Sequence, residues 1–175
     1  VAAGHSDIAS GITRPGKDNM RTLAERISDH PFFIGMSAKD LAIVSWGASE
    51  ANFDAGDFVF HEGEPANRFF LIESGTIALE AHEPADGTFL IQHLGPGDVL
   101  GWSWLVPPFV WHFQARAIEP AHAIVLDGAH ILVNAERNPV FGYNLMKRVT
   151  HVVMNRLQAT RKRLVHEELM SVLEG

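Results

Sequence analysis

The chain predicts a mainly β fold, a small antiparallel roll or barrel with flanking helices, on three observations. Glycines at 56, 63, 75, 87, 95, 97 and 101 punctuate its middle at short intervals, and β-rich segments fill the gaps between them. Ile77, Leu79 and Ala81 alternate with Thr76, Ala78, Glu80 and His82, which is the period of a strand. From Asn138 to about Leu173 no proline interrupts, and apolar residues recur at helical spacing.

Taken in order, residues 1–17 are small and polar, with Gly4, Gly11, Pro15 and Gly16, and are expected to form a loose arm. A helix is expected from about Asp18 to Ser28, with Met20, Leu23, Ala24 and Ile27 on one face. His30-Pro31 breaks it. Ser37, with Asp40 three residues on, opens a second short helix through Trp46. Glu50 to Leu126 reads as β-structure, with Asp86-Gly87 as a hairpin signal. Asp127 can cap a short helix, and Asn138-Pro139 is an N-cap with proline at the first helical position. The unit from 18 to 136 is thus the roll with its opening helices, and 137–175 is a long helix. About 35 residues of helix would run roughly 50 Å, more than a small roll covers. Phe141, Leu145, Val149, Val152, Val153 and Leu157 fall close to one face, so a homodimer through this face is expected.

Composition bounds the function. Of 175 residues, 46% are apolar and 20% charged, ordinary for a globular protein. With no cysteine, disulfides, cysteine-held metal clusters and thiol catalysis are excluded. The net charge of −7 argues against a surface built as a nucleic-acid footprint, although the part from Asn138 onward is basic. No apolar run of 18 residues exists to cross a membrane, and the first residues lack a signal-peptide pattern. A cytoplasmic location is expected.

Several ordered patterns together resemble the sensor domain of the catabolite-activator (Crp/Fnr) family of cyclic-nucleotide-binding proteins. His30-Pro31-Phe32-Phe33 with Met36, Ser37, Asp40 and Leu41 is similar to that family's first helices. Ala55-Gly56-Asp57, the stretch from His61 to Ile72, and Ser74-Gly75 resemble its first hairpins. Leu94-Gly95-Pro96-Gly97-Asp98 to Gly101 looks like the approach to its phosphate-binding cassette, and Ala115-Arg116-Ala117 like the strand leaving it. The resemblance covers about Leu23 to Leu164. It implies a double-stranded β-helix, or jelly roll, with a long C-terminal dimerisation helix, and a regulatory module without catalytic residues.

The cassette departs from the pattern. The resemblance implies an acid after its glycine, on the ribose hydroxyl, and an arginine on the cyclic phosphate. Here Gly101 is followed by Trp102, and Trp111 stands at the arginine position with His112 next to it. Arg116, between two alanines on an alternating strand, is expected to face outward. The candidate ligand site is therefore a degenerate cassette of Gly101, Trp102, Ser103, Trp104, Trp111 and His112. Its tryptophans either plug the pocket, or line a remodelled one for another ligand. The remaining option is a cyclic nucleotide held through backbone N–H groups of the Gly101–Leu105 turn. Cyclic AMP and cyclic GMP are not expected to bind in the usual mode.

Other chemistry was weighed. Ten histidines without His-x-His or His-x-x-x-His spacing give no metal motif. A small cupin-like metalloenzyme and a haem site at His112 or His151 are alternatives, and no metal or cofactor is expected. Arg156, Arg161, Lys162 and Arg163 read as the solvated side of a paired helix. Nucleic acid would be a partner only through a further DNA-binding domain, as in the family's transcription regulators.

Overall fold

A computed structural model of the chain describes residues 21–83 and 87–173. The arm of residues 1–17 and the expected helix start at Asp18 lie outside them. The first helix, α1, spans Leu23–Asp29 and opens on a capping box. The Thr22 hydroxyl accepts from the Glu25 N–H at 3.2 Å, and the Glu25 carboxylate accepts from the Thr22 N–H at 2.7 Å. Two otherwise orphaned donors are satisfied reciprocally, which sets the start of the helix. A 3-10 turn at Pro31–Phe33 follows, then α2 at Ala38–Ser45, capped by Ser37 as expected.

Eight strands come next: β1 Ser49–Phe53, β2 Phe58–Phe60, β3 Arg68–Ser74, β4 Ile77–Glu83, β5 Gly87–Leu94, β6 Val99–Leu100, β7 Gln114–Ala117 and β8 Ala121–Asp127. They form two four-stranded antiparallel sheets, ordered β1-β8-β3-β6 and β2-β7-β4-β5. This is the jelly roll that the glycine rhythm and the resemblance imply. The β4–β5 hairpin stands where Asp86-Gly87 places it, with Glu83 opposite Gly87.

β3 is covered on both sides. Phe70 meets Phe60 of the opposite sheet, whereas Phe69 meets Phe32 and Trp104 on the helical side. The helices close that second side. Asp127 caps α3, Gly128–Arg137, by accepting from the His130 N–H at 2.9 Å. Asn138 then opens α4, Pro139–Leu173, a helix of 35 residues.

One expectation about α4 needs correction. Phe141, Leu145 and Val149 are buried against the chain's own core, and Val152 and Val153 are partly buried against it. Phe141, Leu145 and Val149 are thus committed to the chain's own core, while Val152 and Val153 keep part of their surface. Leu157 differs: it is 69% exposed, because it lies roughly 120° round the helix from Leu145.

Two charged contacts anchor the sheets. Arg26 of α1 bonds both carboxylates beside it, reaching Glu50 at 2.6 Å and Glu73 at 2.9 Å, while His122 lies 2.9 Å from Glu73. Burial alone would raise the Glu73 carboxyl, but Arg26 and His122 outweigh it and hold the pKa below the ordinary carboxylate value. The strand period predicts an outward Glu80, yet this side chain is buried. Arg116 covers it at 2.6 Å and Gln114 donates to it at 3.0 Å. Burial again opposes these partners and again loses, so the Glu80 pKa is also lowered.

Two outcomes follow from this packing. Depressed carboxylate pKa values contribute stability above the ordinary carboxylate range, and that stability is lost as pH falls through the depressed values. Urea midpoints followed from about pH 7 to about pH 3 should therefore fall less steeply in Glu73→Gln and Glu80→Gln proteins than in the unaltered one. The second concerns Gly128, where a Cβ would lie 2.6 Å from the Trp104 indole. Helix propensity favours Gly128→Ala by about 1 kcal/mol, but overpacking costs about 1–3 kcal/mol. A net loss of stability is expected in chemical denaturation, and a gain would show that Trp104 moves freely.

Candidate functional site

The cassette runs from the end of β6 to the start of β7, and its backbone is set by two constraints. Gly101 adopts φ +84°, open to glycine at little cost. A Cβ there would also stand 3.0 Å from the Trp111 ring and 3.1 Å from the Arg68 carbonyl oxygen. Beyond it, Ser103–Leu105 makes a 3-10 turn. The segment from Phe109 to Trp111 is then stitched to the β2–β3 connection. The Gly63 N–H donates to the Trp111 carbonyl at 2.8 Å, the Trp111 N–H to the Glu64 carbonyl at 2.9 Å, and the Ala66 N–H to the Phe109 carbonyl at 2.8 Å. These bonds carry the Trp111 side chain into the roll.

Inside, Trp111 is 4% exposed and stacks on Phe60, with ring centroids 4.0 Å apart and planes 16° apart. Trp111 therefore fills interior volume where the resemblance implies a phosphate-binding arginine. What remains is a cavity of about 20 Å³, touched by Gly101, Trp102, Ser103, Trp111 and His112. Ligand pockets run to about 300–1,000 Å³, and this remnant is far below that size. Five of the six expected cassette residues thus come together, around almost no space.

Trp104 does not join them. It packs on the helical side of β3, 5.8 Å from Phe69 and against Gly128. The three tryptophans are neighbours in sequence but are divided by the sheet. Trp104 is core, at 1% exposure. His112 is exposed at the rim of the remnant. Arg116, engaged with Glu80, supplies no cation to the cassette.

Four residues of the cavity wall, Phe60, Leu79, Leu100 and Phe113, went unsuspected, and a fifth is more telling. Arg156 of α4 reaches this wall, and its guanidinium donates to the Val99 carbonyl just before Gly101. The basic cluster is therefore not uniform. Arg161 and Lys162 are exposed as expected, but Arg156 turns inward. Burial pulls its pKa below the usual arginine value, with Asp98 opposing.

Among the described residues, no ligating cluster lies inside the roll. A cupin-like centre needs ligating side chains there, and the space between the sheets is taken by Phe60, Phe70 and Trp111. Glu50, Glu73 and His122 do bring three donor atoms within 4.8 Å of one another. That triad lies beside α1, where Arg26 already supplies the cation. His112 and His151 line different cavities and do not meet. No helix among the described residues is long and apolar enough to cross a membrane.

Comparison with known proteins fits this architecture. The CRP-like cAMP-activated global transcriptional regulator of Mycobacterium tuberculosis is 27% identical over 95 residues, which are 54% of this chain and 42% of the regulator. The chain thus matches less than half the length of that relative. A Geobacter metallireducens crystal structure, classed by name with the cyclic nucleotide-binding proteins, superposes with a TM-score of 0.70 at 26% identity, covering 78% of this chain and 99% of that one. The regulatory subunit of a cAMP-independent protein kinase A from Trypanosoma brucei shares the fold, with a TM-score of 0.60 at 17% identity over 73% of this chain and 45% of that one. The family profile described as the cyclic nucleotide-binding domain matches residues 50–138, from β1 to the residue that caps α4. With half of its length inside that profile, the chain belongs to the cyclic nucleotide-binding domain family and is Crp/Fnr-like.

Proposed function

We propose that this chain is a non-enzymatic regulatory module in which the family's nucleotide pocket is closed by its own aromatic core. The observation that carries this reading is Trp111, stacked on Phe60 at the arginine position and leaving about 20 Å³. The closed pocket favours the first of the three readings of the tryptophans. Names borne by proteins of this fold include both cAMP-activated and cAMP-independent ones, so the fold alone does not assign the nucleotide. The cassette chemistry supports weak binding of any cyclic nucleotide. Each missing charged hydrogen bond is worth roughly 1.5–3 kcal/mol, and each 1.4 kcal/mol is about a factor of ten. Without its acid and its arginine, the cassette should bind cyclic AMP and cyclic GMP about a hundred- to ten-thousandfold more weakly than a complete one.

A homodimer through α4 is retained, but on another face. Tyr143, Met146, Met154, Leu157 and Leu164 are exposed and fall along one side of the helix, at steps of three, eight, three and seven residues. This stripe faces away from Phe141, Leu145 and Val149. The mycobacterial relative is more than twice as long as the matched segment. That difference supports a second reading, the ligand-sensing part of a larger transcription regulator, which the full reading frame decides.

Calorimetric titration with both nucleotides tests the closed pocket, run beside a Trp111→Arg/Trp102→Glu protein. No heat from the unaltered chain is expected, and micromolar binding by it would overturn the reading. Sedimentation tests the dimer. Leu157→Asp should shift the protein towards monomer at micromolar concentration without unfolding it, since a charge is not buried cheaply at an interface. A monomeric unaltered protein would dismiss the stripe as an interface.

A further inference from the structure

A second cavity, of about 900 Å³, lies between α4, the 3-10 turn at Pro31–Phe33 with the residues after it, and the stretch from β5 into β6. It is distinct from the cassette and falls within the size range of small-molecule sites. Phe32, Met36, Leu94 and Val152 give it apolar surface, while α4 brings Lys147, Arg148 and Arg156 to it. Asp40 and Asp98 also face it.

The cations are not equally committed. Arg148 donates to the Phe32 carbonyl at 2.5 Å and to the Ile34 carbonyl at 2.9 Å, fastening α4 to the opening turn. Asp98 accepts from the Gly95 N–H at 2.9 Å and so serves its own turn. Arg156 stands at the inner end, where the cavity and the cassette remnant share it as a wall. Of its five N–H donors, one bond is made, to the Val99 carbonyl, and among the described residues no carboxylate lies within ion-pair distance. A desolvated guanidinium whose nearby carboxylate, Asp98, makes no contact ion pair with it is costly. Lys147, on the same helix wall, adds a second charge; it also lies 4.7 Å over the Tyr143 ring.

We propose that this cavity binds a small organic anion, its carboxylate or phosphate group on Arg156 and its body against Phe32, Met36 and Leu94. The assignment deepens the regulatory reading and rests on it for its biological role. It moves the charge that recognises the ligand from the cassette to the long helix. A carboxylate and a phosphate ester both match a guanidinium.

The test uses the full chain and 8-anilinonaphthalene-1-sulfonate, an aromatic anion whose fluorescence rises in an apolar site. Citrate and inorganic pyrophosphate serve as competitors that separate carboxylate from phosphate chemistry. One saturable site is expected, displaced by at least one competitor. Arg156→Gln should weaken it by about tenfold or more. Asn144→Trp fills the cavity from the helix without changing charge and should abolish binding, whereas Arg161→Gln on the exposed side should leave it unchanged. Thermal melts establish that each variant is folded, and Asn144→Trp decides the matter should Arg156→Gln not fold. No saturable binding by the unaltered chain, or binding that survives Asn144→Trp, would overturn the proposal. Its fate is separable from that of the closed cassette: sulfonate binding in a Trp111→Arg/Trp102→Glu protein should persist whether or not that protein takes up cyclic nucleotide.

Discussion

Phe141, Leu145 and Val149 fix the rotation of α4 about its own axis, and much else depends on that choice. A helix turns by about 100° per residue, so once these three enter the core every later residue has its direction assigned. Three faces result. One is bonded to the roll through Phe141, Leu145 and Val149. A second, through Asn144, Arg148, His151 and Asn155, forms a wall of the larger cavity. The third carries Tyr143, Met146, Met154 and Leu157 outward. Core packing of the apolar kind is worth roughly 1.5–3 kcal/mol for each such side chain fully buried, far more than any exposed contact on the other faces. The hydrophobic term therefore decides, and the polar and partner-seeking faces take what orientation it leaves.

The same order of magnitudes accounts for the cassette. Burying an indole against a phenyl ring gains both apolar area and an aromatic contact, whereas a buried guanidinium without its phosphate would be a liability. With Trp111 stacked on Phe60 the roll interior needs no ligand to be complete. A cassette that needs a phosphate to satisfy its arginine is marginal when empty; this one is satisfied by its own side chains. Arg156 is the inverse case. It is brought inward by α4, donates to the Val99 carbonyl, and among the described residues forms no ion pair within contact distance.

Much of this was legible in the sequence for local reasons. Ser37, Asp127 and Asn138 announce helix starts because side-chain oxygens satisfy nearby N–H groups wherever the chain goes next. The Thr22–Glu25 capping box is equally local. The glycine rhythm marks turns that need positive φ, as at Gly63, Gly75 and Gly97. Three things were not legible, and each needs a partner distant in sequence. Two apolar stripes run along α4, and only the roll shows which of them is buried. Trp104 and Trp111 are seven positions apart, yet the two faces of β3 divide them between helices and roll interior. Arg156 looked solvated because nothing near it in sequence offers an acceptor; the Val99 carbonyl lies 57 residues away.

These placements give Arg156 a mechanical position as well as a chemical one. Its bond to the Val99 carbonyl ends one residue short of the Leu100–Gly101 step, where the backbone turns beneath Trp111 at φ +84°. Gly101 is hemmed in, with the Trp111 ring and the Arg68 carbonyl both close to where a Cβ would stand. Movement of Val99 is therefore resisted by the Trp111–Phe60 stack on one side and followed by the α4 guanidinium on the other. An anion drawn to Arg156 would compete with Val99 for the same donors. On the proposed anion site, the contact between the long helix and β6 joins the larger cavity to the wall of the cassette, because Arg156 lines both. Packed cores shift between discrete arrangements more readily than they deform continuously, so an anion at Arg156 would reach the cassette as a change in side-chain arrangement at Val99 and Trp111 rather than as gradual strain.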